Sequence, residues 1–310
     1  MEAQGLEAII LCPGQGAQAV GMGQAWHDAS EAAANTFAEA DDVLGDSLGA
    51  PLSEICFKGP PDRLNRTDIA QPALYVCGVA SFRGLIQRDG ERPIAAAAGL
   101  SLGEYTALHL AGAFDFAEGL RLVAQRGRLM QEAAERADSS MVALIGADED
   151  QAQAVCDEAA SGEVLVIANL NAPGQIVLSG HSGACGRVVE VAGKMDLRAT
   201  PLSVAGAFHS PLMQEAADAM AEALAGTDLG PLEMPVWSNV TAQPHDPENP
   251  ELLRQRLVEQ MVRPVRWNET CHGLTASGTI DVHELAPGGV LRGLMRRINR
   301  SVKVKSHDQP

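Results

Sequence analysis

The pentapeptide Gly99-Leu100-Ser101-Leu102-Gly103 has the form G-x-S-x-G. A serine hydroxyl at that spacing can act as a nucleophile if the chain lifts it clear of its surroundings, and the flanking residues are arranged to do so. Ile94 to Ala98 is a short apolar run bounded by Pro93 and Gly99, which reads as a buried strand. After the serine, Leu102, Tyr105, Leu108 and the Ala111/Gly112 pair recur at helical spacing and predict an amphipathic helix. The implied path is strand, sharp turn, helix, in which the glycines permit the turn and the serine oxygen stands above the sheet edge. The helix N-terminus then aims free N–H groups at any oxyanion that forms there. A helix N-cap serine after a glycine turn has the same local sequence, but the strand before it favours the nucleophile.

Such a hydroxyl needs a base, and the chain offers eight histidines. His27, His109, His245, His272 and His307 fall in polar loops, on helix faces or in the tail, where surface or packing roles are the default. His181 lies in a separate unit, described below. His283, between Asp281 and Glu284, reads as a packed strand histidine. His209 in "SVAGAFHSPLM" follows a strand and a glycine turn and directly precedes a helix N-terminus, whose positive end disfavours imidazolium. His209 is therefore the expected base.

Arg126 is the third residue of interest. On a helix expected from Asp115 to Arg136, Gly119, Leu122, Arg126, Leu129 and Ala133 form one stripe in which every other member is small or apolar. Arg121 and Arg128 point away from it by about 140° or more. An inward guanidinium needs an anion, either a protein carboxylate or a substrate carboxylate held bidentately. The loop Gly14 to Ala19 also matches G-x-G-x-x-[GA] after a strand, but Glu39 to Asp42 sit in a helical pattern, where a ribose-binding acid should end a second strand. A backbone N–H donor at Gln15 explains those glycines equally well.

The elements that must position these groups alternate. Ala8 to Cys12 is a strand candidate, helical patterns follow around Met22 to Val43 and Ala70 to Gln87, and then come the strand, turn and helix around Ser101. This order implies a mostly parallel sheet. From residue 137 the order becomes strand (Met141 to Gly146), helix (Glu149 to Ala160), two strands (Val164 to Leu170, Gln175 to Ser179), helix (Gly183 to Met195) and strand (Arg198 to Val204). That is the ferredoxin-like βαββαβ unit. The expected fold is α/β, a hydrolase-like core (residues 1–136 and 208–310) with an inserted small domain (137–207). The chain returns through a helix capped by Ser210 with Pro211 at its first position, a strand near Val236, and a segment from Thr279 to Leu285.

The 310 residues are 46% hydrophobic, with 40 acidic against 23 basic residues and a net charge of −17. Such a balance argues against general nucleic-acid binding. No apolar stretch reads as a membrane span and the N-terminus lacks the basic start of a signal peptide, so a soluble cytoplasmic protein is expected. The cysteines, without CxxC spacing, read as buried free thiols and not as disulfides or a metal site. From Arg292 to Lys305 six basic residues occur without an acid, Arg292, Arg296, Arg297 and Arg300 among them. They form either a solvated face or a docking patch for an acidic partner.

Together, "CPGQGAQAVGMG", "QPALYV", "GLSLGEYTAL", "RLVAQRGRLMQ", "NLNAPGQIVLSG", "AFHSPLM", "EQMVRPVRW" and "ELAPGGVLRGL" resemble, over essentially the whole chain, the malonyl-CoA:acyl carrier protein transacylases of bacterial fatty acid synthesis. The acyltransferase domains of polyketide synthases are related to them. The resemblance implies Ser101 as nucleophile, His209 as base, an oxyanion hole from the N–H groups of Gln15 and Leu102, and Arg126 on the malonyl carboxylate. It implies that the backbone carbonyl of Gln260 orients His209 and that Phe208 shapes the acyl pocket. No permanently bound cofactor or metal is implied. Malonyl-CoA and the phosphopantetheine of an acyl carrier protein are the implied substrates, the basic run is the implied docking surface, and a monomer is expected. One departure stands out: the family usually has histidine before the nucleophile, where this chain has Leu100. Altered rate or acyl preference, not loss of activity, is the expectation.

Overall fold

The computed structural model describes residues 7–276 and 281–310. Strands β1 (Ala8–Cys12), β2 (Ile94–Gly99), β7 (Val236–Trp237), β8 (Asp281–Glu284) and β9 (Val304–Ser306) form a parallel sheet in the order β7-β2-β1-β8-β9. Thr279 and Ile280, the expected start of β8, lie outside the described residues. β1 is buried throughout, as a central parallel strand covered on both faces must be. The chain leaves β1 for β2 on one side and pairs with β8 on the other, so a crevice is expected beyond the carboxyl ends of these strands. Cys12 and Gly99, the last residues of β1 and β2, are register partners there.

The second sheet is antiparallel: β3 (Ser139–Ile145), β4 (Leu165–Ala172), β5 (Gln175–His181) and β6 (Arg198–Pro201) in the order β4-β5-β3-β6. With the helices Glu149–Ala160 and Ser182–Lys194 it makes the expected βαββαβ unit and has its own apolar core around Leu144, Val155, Leu178 and Val188. A capping box between Asp148 and Gln151 starts its first helix, worth about 1 kcal/mol. β6 ends at Pro201, short of the expected Val204. Backbone bonds from Leu170 N–H to the Val265 carbonyl (2.9 Å) and from Val265 N–H to the Ala168 carbonyl (2.8 Å) fasten β4 to the rest of the molecule.

Three helical expectations change. The pattern from Met22 to Val43 is two helices, Gln24–Ala29 and Glu31–Leu44, because Ser30 is extended and caps the second through its side chain. The helix after Ser101 (Gly103–Leu110) is not amphipathic: residues 103 to 108 are all buried between the sheet and its neighbours. The helix Thr67–Asp89 is long and apolar enough to span a bilayer, contrary to the sequence reading, but nearly every residue from 67 to 81 is buried in the protein core. Gly127 lets it pack closely against the helix Phe116–Arg136, since a Cβ there would meet the Thr67 carbonyl oxygen at 2.7 Å. That close approach sets Gln71 against Arg126. All six cysteines are buried free thiols, as expected.

Candidate active site

Ser101 leaves β2 in a left-handed conformation, φ 53°, which costs a non-glycine residue of order 1–3 kcal/mol. The flanking glycines make this turn sterically open. A Cβ on Gly99 would meet the Gly103 carbonyl carbon at 1.8 Å, and one on Gly103 would meet the Cys12 oxygen at 2.1 Å. Asn239, at the end of β7, straddles the turn: its Oδ1 accepts from Ser101 N–H (2.6 Å) and its Nδ2 donates to the Gly99 carbonyl (2.7 Å). Sequence reading passed over Asn239, which carries no motif of its own.

His209 reaches Ser101 from the segment after β6. Ser139 of β3 accepts from Ala207 N–H (3.1 Å) and Ser179 of β5 donates to the Phe208 carbonyl (2.7 Å), so the antiparallel sheet holds the histidine loop. His209 is itself left-handed, φ 57°. Its Nδ1 lies 2.7 Å from the Gln260 carbonyl, which can only accept, so Nδ1 carries the proton and Nε2 presents a lone pair. That lone pair faces the Ser101 hydroxyl at 2.9 Å. The Gln260 carbonyl is free because Gln260 ends the helix Pro250–Gln260, whose last carbonyls have no partner within the helix. The same negative helix end favours imidazolium once a proton arrives.

The resting ring is neutral. Burial pushes its pKa down to about 4, the Arg126 charge adds to this, and the Gln260 carbonyl opposes it. A helix N-terminus, the cause expected from sequence, is not the origin. His209 is followed by a 3-10 turn, Pro211–Met213, capped by Ser210, before the α-helix begins at Gln214.

Arg126 is fully buried, whereas Arg121 and Arg128 on the same helix pair with Glu118 and Glu132 at the surface. Its Nη1 donates to Gln71 Oε1 (2.7 Å), and its Nη2 donates to Gln260 Oε1 (2.8 Å) and to Ser101 Oγ (3.2 Å). Among the described residues Nε has no partner and no carboxylate pairs with this guanidinium. Desolvation lowers its pKa, opposed by Tyr105 and Glu104. Its protein partners are neutral oxygens, the amides of Gln71 and Gln260 and the Ser101 hydroxyl, so the protein carboxylate considered from the sequence does not appear among the described residues.

These groups face a cleft of about 460 Å³ between the two sheets, lined by Gln15, Leu100, Ser101, Leu102, Phe208 and His209 with Met141, Asn169 and Val177. Arg126 is the one Lys, Arg, Asp or Glu among the described residues that line it. Gln15 follows β1 and Leu102 follows Ser101, so both N–H groups sit at the paired ends of β1 and β2, and among the described residues neither donates to a protein acceptor. Leu100, in place of the histidine expected by resemblance, is half-buried, lines the cleft and packs against the apolar cluster that contains Leu11 and Ala98. A smaller cavity of about 200 Å³, near Phe82 and His283, holds none of the groups around Ser101.

His245, read from sequence as a loop residue, is buried with Nε2 2.7 Å from Glu104 Oε1. Glu104 also accepts from Gln260 Nε2 (2.6 Å) and from Asn239 N–H (3.1 Å). An acid in the first turn of a helix ordinarily reads as a solvated dipole partner, which is why sequence gave no signal for it. His283 is a buried strand histidine, as expected, and bonds His307 at 2.7 Å. The four arginines Arg292, Arg296, Arg297 and Arg300 are exposed on and just beyond the helix Val290–Ile298, whose Val290 and Leu294 line the cleft.

Comparison with known proteins gives the family of the chain. The acyl transferase domain family matches residues 9–307. A malonyl CoA-acyl carrier protein transacylase from Escherichia coli is 39% identical over 304 residues, 97% of this chain and 96% of that protein. The solved structure of such a transacylase from Coxiella burnetii superposes with a TM-score of 0.94 at 35% identity, covering 100% of this chain and 96% of the other. A malonyl-transacylase solved in complex with a type II polyketide acyl-carrier protein gives a TM-score of 0.92 at 37% identity, covering 98% and 96%. With its α/β fold and its sequence matched end to end, the chain belongs to the acyl transferase domain family, and within it to the malonyl CoA-acyl carrier protein transacylases.

Proposed function

We propose that this protein moves the malonyl group of malonyl-CoA to the phosphopantetheine thiol of an acyl carrier protein, supplying extender units for fatty acid synthesis. The observation that carries the reading is the Ser101 hydroxyl, 2.9 Å from a neutral His209, beside a buried Arg126 that has no carboxylate partner among the described residues. His209 Nε2 takes the hydroxyl proton as Ser101 Oγ bonds the thioester carbon. The carbonyl electron pair moves to oxygen, where the N–H groups of Gln15 and Leu102 receive it. Collapse breaks the carbon–sulfur bond, coenzyme A leaves as thiol with the proton from His209, and a malonyl ester remains on Ser101. The carrier thiol then gives its proton to His209 and attacks the ester carbon, the bond to Ser101 Oγ breaks, and Oγ takes the proton back from His209, which restores the hydroxyl and leaves malonyl on the carrier. Gln260 holds the imidazole tautomer through both halves, Phe208 walls the acyl pocket, and Arg126 binds the malonyl carboxylate and selects diacid over monoacid thioesters.

The catalytic part in this reading is residues 1–136 and 208–310, with 137–207 as the small domain. The exposed Arg292, Arg296, Arg297 and Arg300 meet the acidic carrier. The protein acts as a cytoplasmic monomer and needs no resident cofactor or metal, coenzyme A entering only as the thioester substrate. Enzyme loaded with malonyl-CoA and freed of excess donor tests the two half-reactions. The ester persists in buffer and is discharged on adding holo carrier protein. Rapid loss to water without carrier would make the protein a thioesterase instead.

A further inference from the structure

We infer that Glu104, locked by His245, is a positioning residue that sets the aim of both Arg126 and His209 through Gln260; the inference rests on the proposed roles of those two residues. Gln260 does two jobs at once. Its backbone carbonyl holds His209 at 2.7 Å, and its side-chain oxygen holds Arg126 at 2.8 Å. A side-chain amide has two orientations of nearly equal shape, and only its hydrogen-bond partners choose between them. Here Nε2 faces two acceptors, Glu104 Oε2 at 2.6 Å and the Ser101 carbonyl at 3.1 Å. The flipped amide would set its oxygen against both of those oxygens and its NH2 against the guanidinium. Glu104, the closer of the two acceptors, is the main brake on the flip, with the Ser101 carbonyl and the guanidinium beside it.

Glu104 is itself unable to turn away. It is fully buried in the first turn of the helix after Ser101, with Asn239 N–H on Oε2 at 3.1 Å and His245 Nε2 on Oε1 at 2.7 Å. Asn239 in turn grips Ser101 N–H and the Gly99 carbonyl. One buried carboxylate therefore ties together the turn that carries the nucleophile, the helix end that orients the base and the amide that steers the arginine. It touches none of the reacting atoms. Buried polar networks of this kind specify geometry when every member is satisfied and lose it when one is removed.

The test compares Glu104→Leu, Glu104→Gln, His245→Ala and Arg126→Ala in the full chain. Initial rates of acyl-enzyme formation are measured with malonyl-CoA and with acetyl-CoA, alongside thermal melting. Glu104→Leu removes the closer acceptor of the Gln260 amide, loosens its hold on Arg126 and lowers the malonyl-to-acetyl ratio of kcat/KM by about tenfold or more. Glu104→Gln retains an oxygen for Asn239 N–H and Gln260 Nε2 and offers its NH2 to a His245 ring protonated on the other nitrogen, so the ratio stays within about threefold. His245→Ala leaves the carboxylate with two donors and lowers the ratio in the same direction by a smaller factor. A folded Glu104→Leu with an unchanged ratio, or Glu104→Gln losing as much as Glu104→Leu, overturns the inference. If Glu104→Leu does not fold, an unchanged ratio in His245→Ala overturns it. Arg126→Ala separates the two levels: a fall there with none at Glu104 removes the positioning role alone, and no fall at Arg126 removes the underlying reading with it.

Discussion

Arg126 and His209 converge on a single atom: the guanidinium Nη2 lies 3.2 Å and the imidazole Nε2 2.9 Å from Ser101 Oγ. The unprotonated imidazole nitrogen can accept a hydrogen bond from that oxygen while the guanidinium donates one to it, and only the arginine carries a charge at rest. Truncation of Arg126 therefore separates recognition from chemistry. Arg126→Ala is expected to slow malonyl loading by roughly 10–100-fold, the worth of about one to two charge-assisted hydrogen bonds, and to spare or raise acetyl loading. Rates of acyl-enzyme formation from the two thioesters check this, and equal losses for both would contradict the selectivity role.

The pH dependence follows from the depressed His209 pKa of about 4. A general base works only unprotonated. Loading is thus expected to be flat from neutral pH downward and to fall only as pH approaches about 4, where an ordinary imidazole would fail near about 6.5. The same shift enters stability. The folded ring binds its proton less well than the unfolded chain does, so its contribution is complete above about pH 6.5 and is lost as pH falls toward the folded value. A kcat/KM profile for malonyl loading whose acid limb lies at or above about 6.5 would refute this.

Gly103 is a steric requirement of the turn. A Cβ there would meet the Cys12 oxygen at 2.1 Å and the Pro13 oxygen at 2.9 Å, both backbone atoms that cannot swing aside. Gly103→Ala is expected to destabilise the fold by more than about 2 kcal/mol in denaturant titration. A cost under about 0.5 kcal/mol would show that the turn relaxes freely.

The exposed Arg292, Arg296 and Arg297 lie on the helix whose Val290 and Leu294 reach the cleft. Replacing all three by glutamate is expected to raise the KM for an acidic carrier protein several-fold and to leave malonyl-CoA loading within about twofold, since surface charge acts mainly on encounter. An unchanged KM for the carrier would leave these arginines as a solvated face.

Much of the site could be read from sequence because its signals are local. Ser101 lies between two glycines at fixed spacing, Arg126 breaks an apolar stripe on one helix, and His209 follows a glycine turn. The strand order around residues 139–201 was equally legible, because each element there is short and separately bounded. What escaped was made by tertiary contact alone. Glu104 and His245 are 141 residues apart, as are no two members of any motif, and each looks solvated in its own segment. Asn239 and Gln71 likewise acquire their roles only when β7 and the helix Thr67–Asp89 close around the turn. The helix after Ser101 was misread as amphipathic because the apolar spacing of one face says nothing about whether Glu104 and Thr106 on the other are also covered. Leu100 was visible as a departure, yet only the fold shows that it lines the cleft and packs against the apolar cluster around Leu11 and Ala98.

The most direct measurement is the mass of the intact protein after brief exposure to malonyl-CoA, followed by peptide mapping. The wild-type chain is expected to gain one malonyl group on the peptide bearing Ser101; Ser101→Ala should gain none, and His209→Ala should gain it slower by orders of magnitude. A malonyl group mapped to another residue, or undiminished labelling of Ser101→Ala, would contradict the central claim.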